Sequence, residues 1–290
     1  MLKTTHRGVF RALRPLKGKA LLNAPSRGKG ERRPPPGSSV KMTRRELRDA
    51  LRPVAGEEAE IEARFLLEAS RDEGWLRKAV ERRLAGEPLQ YILGEWEFMG
   101  LPFFVGPGAL IPRQDTETLC EAALGWLRSR PQAKVLDLCC GTGCIGVSLA
   151  KLGGAQVSFA DISPDALALA RRNAEKNGVD GAFYESDLLT DVPGTYDLMA
   201  CNPPYLTAAE MAGCQRELTF EPALALYGGE DGLDFYRRLA AEWAEHVRPG
   251  GLLLLEIGYT QAQAVRGLFP GARIMKDVCG LDRVAYVERI

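Results

Sequence analysis

The residues best suited to chemistry are the tetrapeptide Asn202-Pro203-Pro204-Tyr205, which follows an apolar run that begins at Tyr196. It offers two carbonyl acceptors, a stiff turn and an aromatic face, and its prolines lack N–H donors. We expect Asn202 and the Pro203 carbonyl to accept the hydrogens of a planar –NH2 group, while Tyr205 covers its plane. Holding such a poor nucleophile in line with an electrophile lowers the entropic barrier. The alternative is a plain Pro-Pro turn at a strand end.

A glycine-rich turn lies upstream, between a predicted strand and a predicted helix. The strand Lys134–Leu138 is followed by Cys139-Cys140-Gly141-Thr142-Gly143. Gly141 and Gly143 let the backbone approach a ligand at the helix N-terminus. Asp161 ends the next predicted strand, where a carboxylate can accept hydrogen bonds from both hydroxyls of a ribose. This pattern predicts a nucleoside cofactor.

Two cofactor classes fit that pattern. Gly141-Thr-Gly143-Cys-Ile-Gly146 satisfies the G-x-G-x-x-G motif of dinucleotide sites. Asp137 ahead of the turn and the acceptor-rich tetrapeptide favour S-adenosylmethionine, because hydride transfer has no need of an amine clamp and a cationic sulfonium suits acidic walls. Asp187, followed by Leu188 after a weaker third strand, suits the adenine amine, although an N-cap or turn residue is the alternative.

Charge is distributed unevenly along the 290 residues. Residues 1–41 hold eleven of the 38 Lys and Arg residues and one of the 38 acids, so the remainder has 27 basic and 37 acidic residues, a net charge of −10. An acidic body argues against direct nucleic-acid binding, which needs a basic surface. No apolar run approaches the roughly 20 residues of a membrane span.

Seven cysteines and two histidines give no metal-site pattern. Cys139, Cys140 and Cys144 lack the usual zinc spacing, and a fourth ligand is not evident. The sequence therefore predicts no metal and reduced thiols in a cytoplasmic protein.

The chain divides into four segments. Residues 1–41 are rich in Arg, Lys, Pro and Gly and are predicted to form a disordered basic extension, with a targeting peptide or a true start at Met42 as alternatives. Residues 42–93 predict a bundle of short helices, opened by a capping box at Thr43 and Glu46. Residues 94–112 predict a β-hairpin linker. Residues 113–290 alternate strands and helices, which predicts a mostly parallel sheet covered on both faces. The seven predicted strands are residues 134–138, 156–160, 182–185, 196–201, 252–257, 272–276 and 283–288.

Residues 42–290 resemble the protein-(glutamine-N5) methyltransferases that modify peptide chain release factors (HemK/PrmC-like). The most specific likeness lies in residues 86–94 (GEPLQYILG), 98–103 (FMGLPF) and 110–113 (LIPR). Residues 115–117, 220–222 and 253–258 also fit, whereas the tetrapeptide is shared with adenine-N6 and RNA guanine-N2 methyltransferases. Cys139 stands where the family usually has Gly, and Gln114-Asp115 where Pro-Glu is commoner.

The resemblance implies a class I S-adenosylmethionine-dependent methyltransferase fold, Rossmann-like, with a small N-terminal helical bundle. It places cofactor binding on Cys139, Cys140, Gly141, Thr142, Gly143, Asp161, Asp187, Leu188 and Asn202. It places the substrate amide on Asn202, Pro203, Pro204 and Tyr205, of which Asn202, Pro203 and Tyr205 are expected to be catalytic. The implied target is the glutamine of a Gly-Gly-Gln loop on a class I release factor, which the helical module would dock.

Two other interpretations stay open at this point. In the first, the acceptor of the methyl group is another amino group, namely that of a ribosomal-protein glutamine, adenine N6 or guanine N2. Alternatively, the chain is a binding module that recruits a translation factor and merely senses the cofactor. We expect a monomer without a membrane partner.

Overall fold

The computed structural model describes residues 42–214 and 216–290 and divides the chain into two compact units, with the boundary between Leu93 and Gly94. The predicted basic extension, residues 1–41, lies outside the described residues. Each unit has its own apolar core.

The smaller unit is a set of short helices. They are α1 (Arg44–Ala55), α2 (Ala59–Ala69), α3 (Glu73–Leu84) and α4 (Leu89–Leu93). Its core consists of fully buried leucines on three of these helices, namely Leu47, Leu51, Leu66 and Leu76. The predicted capping box is confirmed, because the Thr43 hydroxyl accepts the Glu46 N–H at 3.3 Å and the Glu46 carboxylate accepts the Thr43 N–H at 2.8 Å. This exchange satisfies backbone donors at the start of α1.

A buried ion pair joins α2 to α3. Arg83 donates to the two carboxylate oxygens of Glu62 at 2.8 and 3.0 Å, and both side chains are 5% exposed. Removing one partner of such a pair leaves an uncompensated buried charge, which costs about 3–5 kcal/mol.

The larger unit begins with the predicted β-hairpin. Its strands are β1 (Glu95–Phe98) and β2 (Leu101–Phe104), paired antiparallel. Asn173 accepts the Phe104 N–H at 2.6 Å and donates to the Phe104 carbonyl at 3.0 Å, and Asn177 donates to the Pro102 carbonyl at 3.0 Å. The hairpin therefore belongs to the larger unit, although the sequence set residues 94–112 apart as a linker.

The predicted seven-stranded sheet is confirmed. Its strands are β3 (Lys134–Leu138), β4 (Gln156–Asp161), β5 (Gly181–Glu185), β6 (Tyr196–Cys201), β7 (Val247–Glu256), β8 (Arg273–Lys276) and β9 (Asp282–Glu288). They lie in the order β5-β4-β3-β6-β7-β9-β8. The strands β3 to β7 are mutually parallel, and β9 runs antiparallel to both of its neighbours.

Helices cover both faces of this sheet. They are α5 (Gln114–Leu127), α6 (Cys144–Gly153), α7 (Pro164–Asn177), α9 (Asp234–His246) and α10 (Ala262–Leu268). The short helix α8 (Ala208–Ala212) follows residues 202–205 and has no buried residues. Side chains alternate along β7: Leu252 and Leu254 belong to the core cluster under α5–α7, and Leu253 and Leu255 to the cluster under α9 and α10. This period of two buries both faces of the strand.

The strand order reverses between β3 and β6, because the chain proceeds outward from β3 through β4 to β5, and then returns to β6 on the other side. In open α/β sheets, ligands bind at such a switch point, outside the carboxyl ends of the strands. Residues 139–143 and 202–205 follow β3 and β6 directly. None of the helices in residues 42–214 and 216–290 combines the length and apolar character needed to cross a membrane.

Candidate active site

The turn between β3 and α6 folds tightly against the end of β4. The Cys140 N–H donates to the Ala160 carbonyl at 3.0 Å, and the Gly143 N–H to the Cys140 carbonyl at 2.7 Å. Cys139, Gly141 and Gly143 have left-handed backbone, with φ of 56°, 53° and 74°. That conformation costs a residue with a side chain about 1–2 kcal/mol. Cys139 is therefore the strained position of this turn.

Asp161 ends β4 and supports the turn. Its two carboxylate oxygens accept the N–H groups of Gly141 and Ser163, each at 2.9 Å. Burial raises the pKa of Asp161, and the backbone hydrogen bonds oppose that rise. A carboxylate has about four lone-pair sites, so acceptor capacity remains for a ligand. Ser163 also accepts the Ala166 N–H as the N-cap of α7, with Pro164 next to it.

Asp137 lies one layer deeper. It is fully buried and accepts the Gly146 N–H at 2.8 Å through Oδ2, whereas Oδ1 has no hydrogen-bond partner. Burial raises the pKa of Asp137 well above its ordinary value. Asp137 thus fixes the first turn of α6 from below and does not line the cleft.

Asp187 and Leu188 follow β5. The Ser186 hydroxyl donates to the Leu188 carbonyl at 2.8 Å, and Leu188 has a φ of 53°. The Asp187 carboxylate lies 2.9 Å from the Arg238 guanidinium, and both side chains are about half exposed. The structure thus brings both residues to the cleft, with the Asp187 carboxylate already facing a cation.

The tetrapeptide after β6 is held by three other parts of the chain. Gln261 donates to the Tyr205 carbonyl at 3.1 Å. The Leu206 N–H donates to the Leu226 carbonyl at 2.9 Å, and the Gly228 N–H donates back to the Leu206 carbonyl at 2.9 Å. A Cβ atom on Gly228 would lie 2.6 Å from the Pro204 carbonyl oxygen, so only glycine permits this approach.

Side chains hold the two ends of the tetrapeptide. Asn202 Nδ2 donates to Thr116 Oγ1 at 3.4 Å. The Tyr205 hydroxyl donates to Glu256 Oε1 at 3.3 Å. Burial raises the pKa of Glu256 to about 7, and burial likewise raises the pKa of Tyr205 above its ordinary value. Both ends therefore rest on polar side chains from α5 and β7.

A cavity of about 290 Å³ opens where these segments meet. Of the predicted cofactor residues, those lining it are Cys139, Cys140, Gly141, Thr142, Asp161, Asp187, Leu188 and Asn202; Gly143 does not. Of the predicted substrate clamp, Asn202 and Pro204 line it. Pro203 and Tyr205 are not among the lining residues, and the Tyr205 hydroxyl turns toward Glu256. The cleft thus brings together the glycine-rich turn and the tetrapeptide, which are far apart in the sequence.

Several lining residues were missed by sequence reasoning. Beyond the turn and tetrapeptide, the wall includes Thr116, Phe235, Arg238 and the segments 108–113 and 224–225. Arg113 pairs with the buried carboxylate of Glu221, which also accepts the Ile111 N–H at 2.9 Å. The sequence held one signal for this ion pair. Arg113 and Glu221 are single charges of opposite sign, and each follows or precedes a proline in a short apolar segment.

The lining fits S-adenosylmethionine. Asp161 offers acceptors beside a turn whose glycine backbone is open, since a Cβ on Gly141 would meet only Ala109 within 4 Å, at 3.8 Å. Ile162 and Leu188 supply apolar surface next to that carboxylate. In the described ranges, no cluster of three or more His, Cys, Asp or Glu side chains is arranged to hold a metal ion.

The fold and the site together define a class I methyltransferase. The family model of the methyltransferase small domain matches residues 117–223, and that of the PrmC N-terminal domain matches residues 69–94. The solved 16S rRNA N2 G1207 methyltransferase of T. thermophilus, in complex with AdoMet and guanosine, superposes with a TM-score of 0.51 at 18% identity. The superposition covers 68% of this chain and 50% of that one, and it shows the shared fold.

Curated relatives then narrow the class. The release factor glutamine methyltransferase of Geobacter sulfurreducens is 45% identical over 216 residues, which cover 72% of this chain and 75% of that protein. The protein of the same name from Bradyrhizobium diazoefficiens is 36% identical over 88% of this chain and 96% of its own length. The chain belongs to the release factor glutamine methyltransferase family, as its sequence indicated.

Proposed function

We propose that the protein transfers a methyl group from S-adenosylmethionine to the side-chain amide nitrogen, N5, of the glutamine in the Gly-Gly-Gln motif of class I peptide chain release factors. One observation carries this proposal. The glycine-rich turn with Asp161 and the acceptor residues Asn202 and Pro204 line the same cleft. The family to which the chain belongs supports the choice of substrate.

When bound, S-adenosylmethionine supplies an electrophilic methyl group on a positively charged sulfur. Asp161 and the backbone of residues 139–143 orient its nucleoside and amino-acid ends. Leu188 and Ile162 provide the apolar wall, and the cleft walls restrict the access of water to the reacting atoms.

The tetrapeptide orients the acceptor. Because Asn202 Nδ2 faces Thr116, its Oδ1 is left to accept one substrate N–H, and a main-chain carbonyl of the tetrapeptide accepts the other. Tyr205 supports the loop, with its hydroxyl held by Glu256. With the cofactor bound, the amide nitrogen would bond to the methyl carbon as the bond from that carbon to sulfur breaks and its electron pair stays on sulfur. These acceptors would stabilise the positive charge that develops on nitrogen. The surplus proton leaves to water after transfer, so no general base is required.

The remaining expectations about partners form part of the same proposal. Residues 42–93 dock the release factor outside the cleft, and the protein acts as a monomer in the cytoplasm. The net charge of −10 outside residues 1–41 disfavours nucleic acid as the acceptor.

The decisive experiment uses labelled S-adenosylmethionine with a recombinant class I release factor and with its Gln→Ala variant in the Gly-Gly-Gln loop. We expect label in the first and none in the second. Equal labelling of both proteins would exclude the assigned glutamine. Labelling of a ribosomal protein or of RNA in place of the release factor would reassign the acceptor.

A non-catalytic role is tested separately. Asn202→Ala lowers the rate of methylation about 10²–10³-fold in the proposed account while release factor binding persists. A protein that binds release factor and cofactor but never transfers the methyl group would be a binding module.

A further inference from the structure

Glu256 is a buried acid that the reaction itself does not use. It ends β7 beside β6, is 2% exposed, and has one carboxylate oxygen, Oε2, without a hydrogen-bond partner. Oε1 accepts from the Tyr205 hydroxyl at 3.3 Å, and the neighbouring Thr116 hydroxyl also favours the charged carboxylate. A buried carboxylate without a neutralising partner costs free energy. Its placement behind the tetrapeptide therefore calls for a functional reason.

Thr116 connects this carboxylate to Asn202. The Thr116 hydroxyl lies beside the Glu256 carboxylate and favours its charged form. A hydroxyl next to an ionised carboxylate directs its single hydrogen to it, because the carboxylate only accepts. The hydroxyl oxygen is then restricted to accepting, and it accepts from Asn202 Nδ2 at 3.4 Å. The Asn202 amide consequently presents Oδ1, an acceptor, to the cleft.

We infer that Glu256 and Thr116 are positioning residues that fix the direction of the Asn202 side-chain amide, so that the site accepts hydrogen bonds from an –NH2 substrate. This inference rests on the proposed function. We call the chain of contacts from Glu256 through Thr116 to Asn202 the relay. If its hydrogen bonds ran in the opposite direction, Thr116 would donate to Asn202 Oδ1. The amide would then turn its –NH2 group to the cleft, where it would oppose the hydrogens of the substrate.

The surroundings of Glu256 leave its protonation state adjustable. Arg283 on β9 favours the charged form but also pairs with Asp115 and Asp277, each at 3.2 Å. The other titratable groups around it are the phenols of Tyr205 and Tyr236 and the thiols of Cys120 and Cys144. With burial dominant, the pKa of Glu256 lies at about 7. Protonation makes the carboxyl a donor and removes the constraint on Thr116.

The relay is tested at Thr116, using the full-length protein, labelled S-adenosylmethionine and release factor. Thr116→Val keeps the shape and removes the hydroxyl, whereas Thr116→Ser restores it. We expect Thr116→Val to lower kcat about tenfold to a hundredfold with an unchanged KM for S-adenosylmethionine, and Thr116→Ser to recover most of the loss. Wild-type kcat in Thr116→Val, or equal losses in the two variants, would overturn the inference.

The pH profile provides a readout that a purely structural role would not change. The wild-type kcat should rise with pH around a midpoint near 7, as Glu256 ionises. Glu256→Gln should lower kcat and lose this limb of the profile. A limb that survives in Glu256→Gln would contradict the assignment.

A matched control separates the relay from the general loss of a buried hydroxyl. Ser148 on α6 is fully buried, and its hydroxyl has no hydrogen-bond partner. Ser148→Ala should leave kcat and its pH profile unchanged, and a loss equal to that of Thr116→Val would overturn the inference. If the wild-type protein labels no glutamine, the proposed function fails. If the wild-type protein labels the glutamine and Thr116→Val has the same kcat, this inference alone fails.

Discussion

The two sides of the cleft are built in different ways. On the cofactor side, backbone N–H groups hold the carboxylate of Asp161, namely those of Gly141 and Ser163. On the side of the tetrapeptide 202–205, the clamp side, side chains from other elements add to the backbone hydrogen bonds, since Thr116 accepts from Asn202 and Glu256 accepts from Tyr205. The cofactor side is therefore fixed mainly by the path of the chain, and the clamp side also by the identities of residues on separate elements.

This difference teaches where each kind of mutation should act. A change on the cofactor side should disturb the fold and cofactor affinity together, because the backbone itself forms the site. A change on the clamp side should reduce turnover while the fold and cofactor affinity persist. The predictions below test that division, from the largest expected effect to the smallest.

Asn202→Ala should have the largest effect. It removes an acceptor for the substrate amide, and loss of one such group costs about 10²–10³ in kcat. Single-turnover labelling measures the rate, and calorimetry with S-adenosylhomocysteine measures cofactor affinity. A variant that loses cofactor affinity as severely as turnover would erase the distinction between the two sides.

Glu256 should make stability depend on pH. Its pKa is raised from 4.5 to about 7 in the folded protein, so the folded state retains a proton that the unfolded state has lost. The unfolding free energy should therefore fall as pH rises from about 4.5 to about 7, by about 3 kcal/mol, and then level off. Urea denaturation across this range, compared with Glu256→Gln, measures the difference. A wild-type minus variant difference that does not change with pH would refute this assignment.

Gly228→Ala should impair turnover without unfolding the cofactor side. The new Cβ would lie 2.6 Å from the Pro204 carbonyl oxygen and 2.7 Å from Tyr205 Cα, displacing the tetrapeptide. We expect kcat to fall about tenfold to a hundredfold, since small displacements at reacting atoms are costly. Gly267→Ala is the control, because no atom lies within 4 Å of its new Cβ. Equal kcat in the two variants would show that the loop tolerates displacement.

Gly146→Ala should act on the fold. Its Cβ would lie 2.4 Å from Phe159 Cε1 and 2.8 Å from Val157 Cγ1. Overpacking of this kind lowers the unfolding free energy by about 1–3 kcal/mol. Gly125→Ala is the matched control in helix α5, where the added methyl meets nothing within 4 Å and should stabilise by about 0.5–1 kcal/mol. Chemical denaturation compares the two, and an unchanged stability for Gly146→Ala would contradict the close packing.

Cys139→Gly should have the smallest effect. It removes the left-handed strain at a φ of 56°, and we expect a gain in unfolding free energy of about 1 kcal/mol or less. Gln132→Gly relieves the same kind of strain, at a φ of 63°, outside the cleft. Only Cys139→Gly should change the Kd for S-adenosylhomocysteine. A change in Kd for both variants would point to an effect transmitted through the fold.

The same division explains what the sequence predicted. The turn at residues 139–143 and Asp161 follow from local pattern, because a strand, glycines and a helix define them within one β/α unit. The strand Tyr196–Cys201 has its predicted bounds, and the capping box at Thr43 and Glu46 has its predicted partners. Local hydrogen bonding and periodicity decide such features.

The residues that hold the tetrapeptide could not be predicted from local sequence patterns. Thr116, Glu256 and Gln261 lie on α5, β7 and the start of α10, and only the strand order brings them to the tetrapeptide. The short helix α10 was not predicted, since its seven residues carry too little periodicity. Glu256 did leave one signal, as a lone acid closing a run of four leucines in a strand expected to be buried.

The most direct test of the central claim is fragmentation mass spectrometry of the release factor after reaction with S-adenosylmethionine. It locates the transferred methyl group on a particular residue. The account predicts a single methyl group on the side-chain amide of the Gly-Gly-Gln glutamine, formed by the wild-type protein and strongly reduced with Asn202→Ala over the same reaction time. A methyl group on any other residue, or on that glutamine in equal yield with Asn202→Ala, would contradict it.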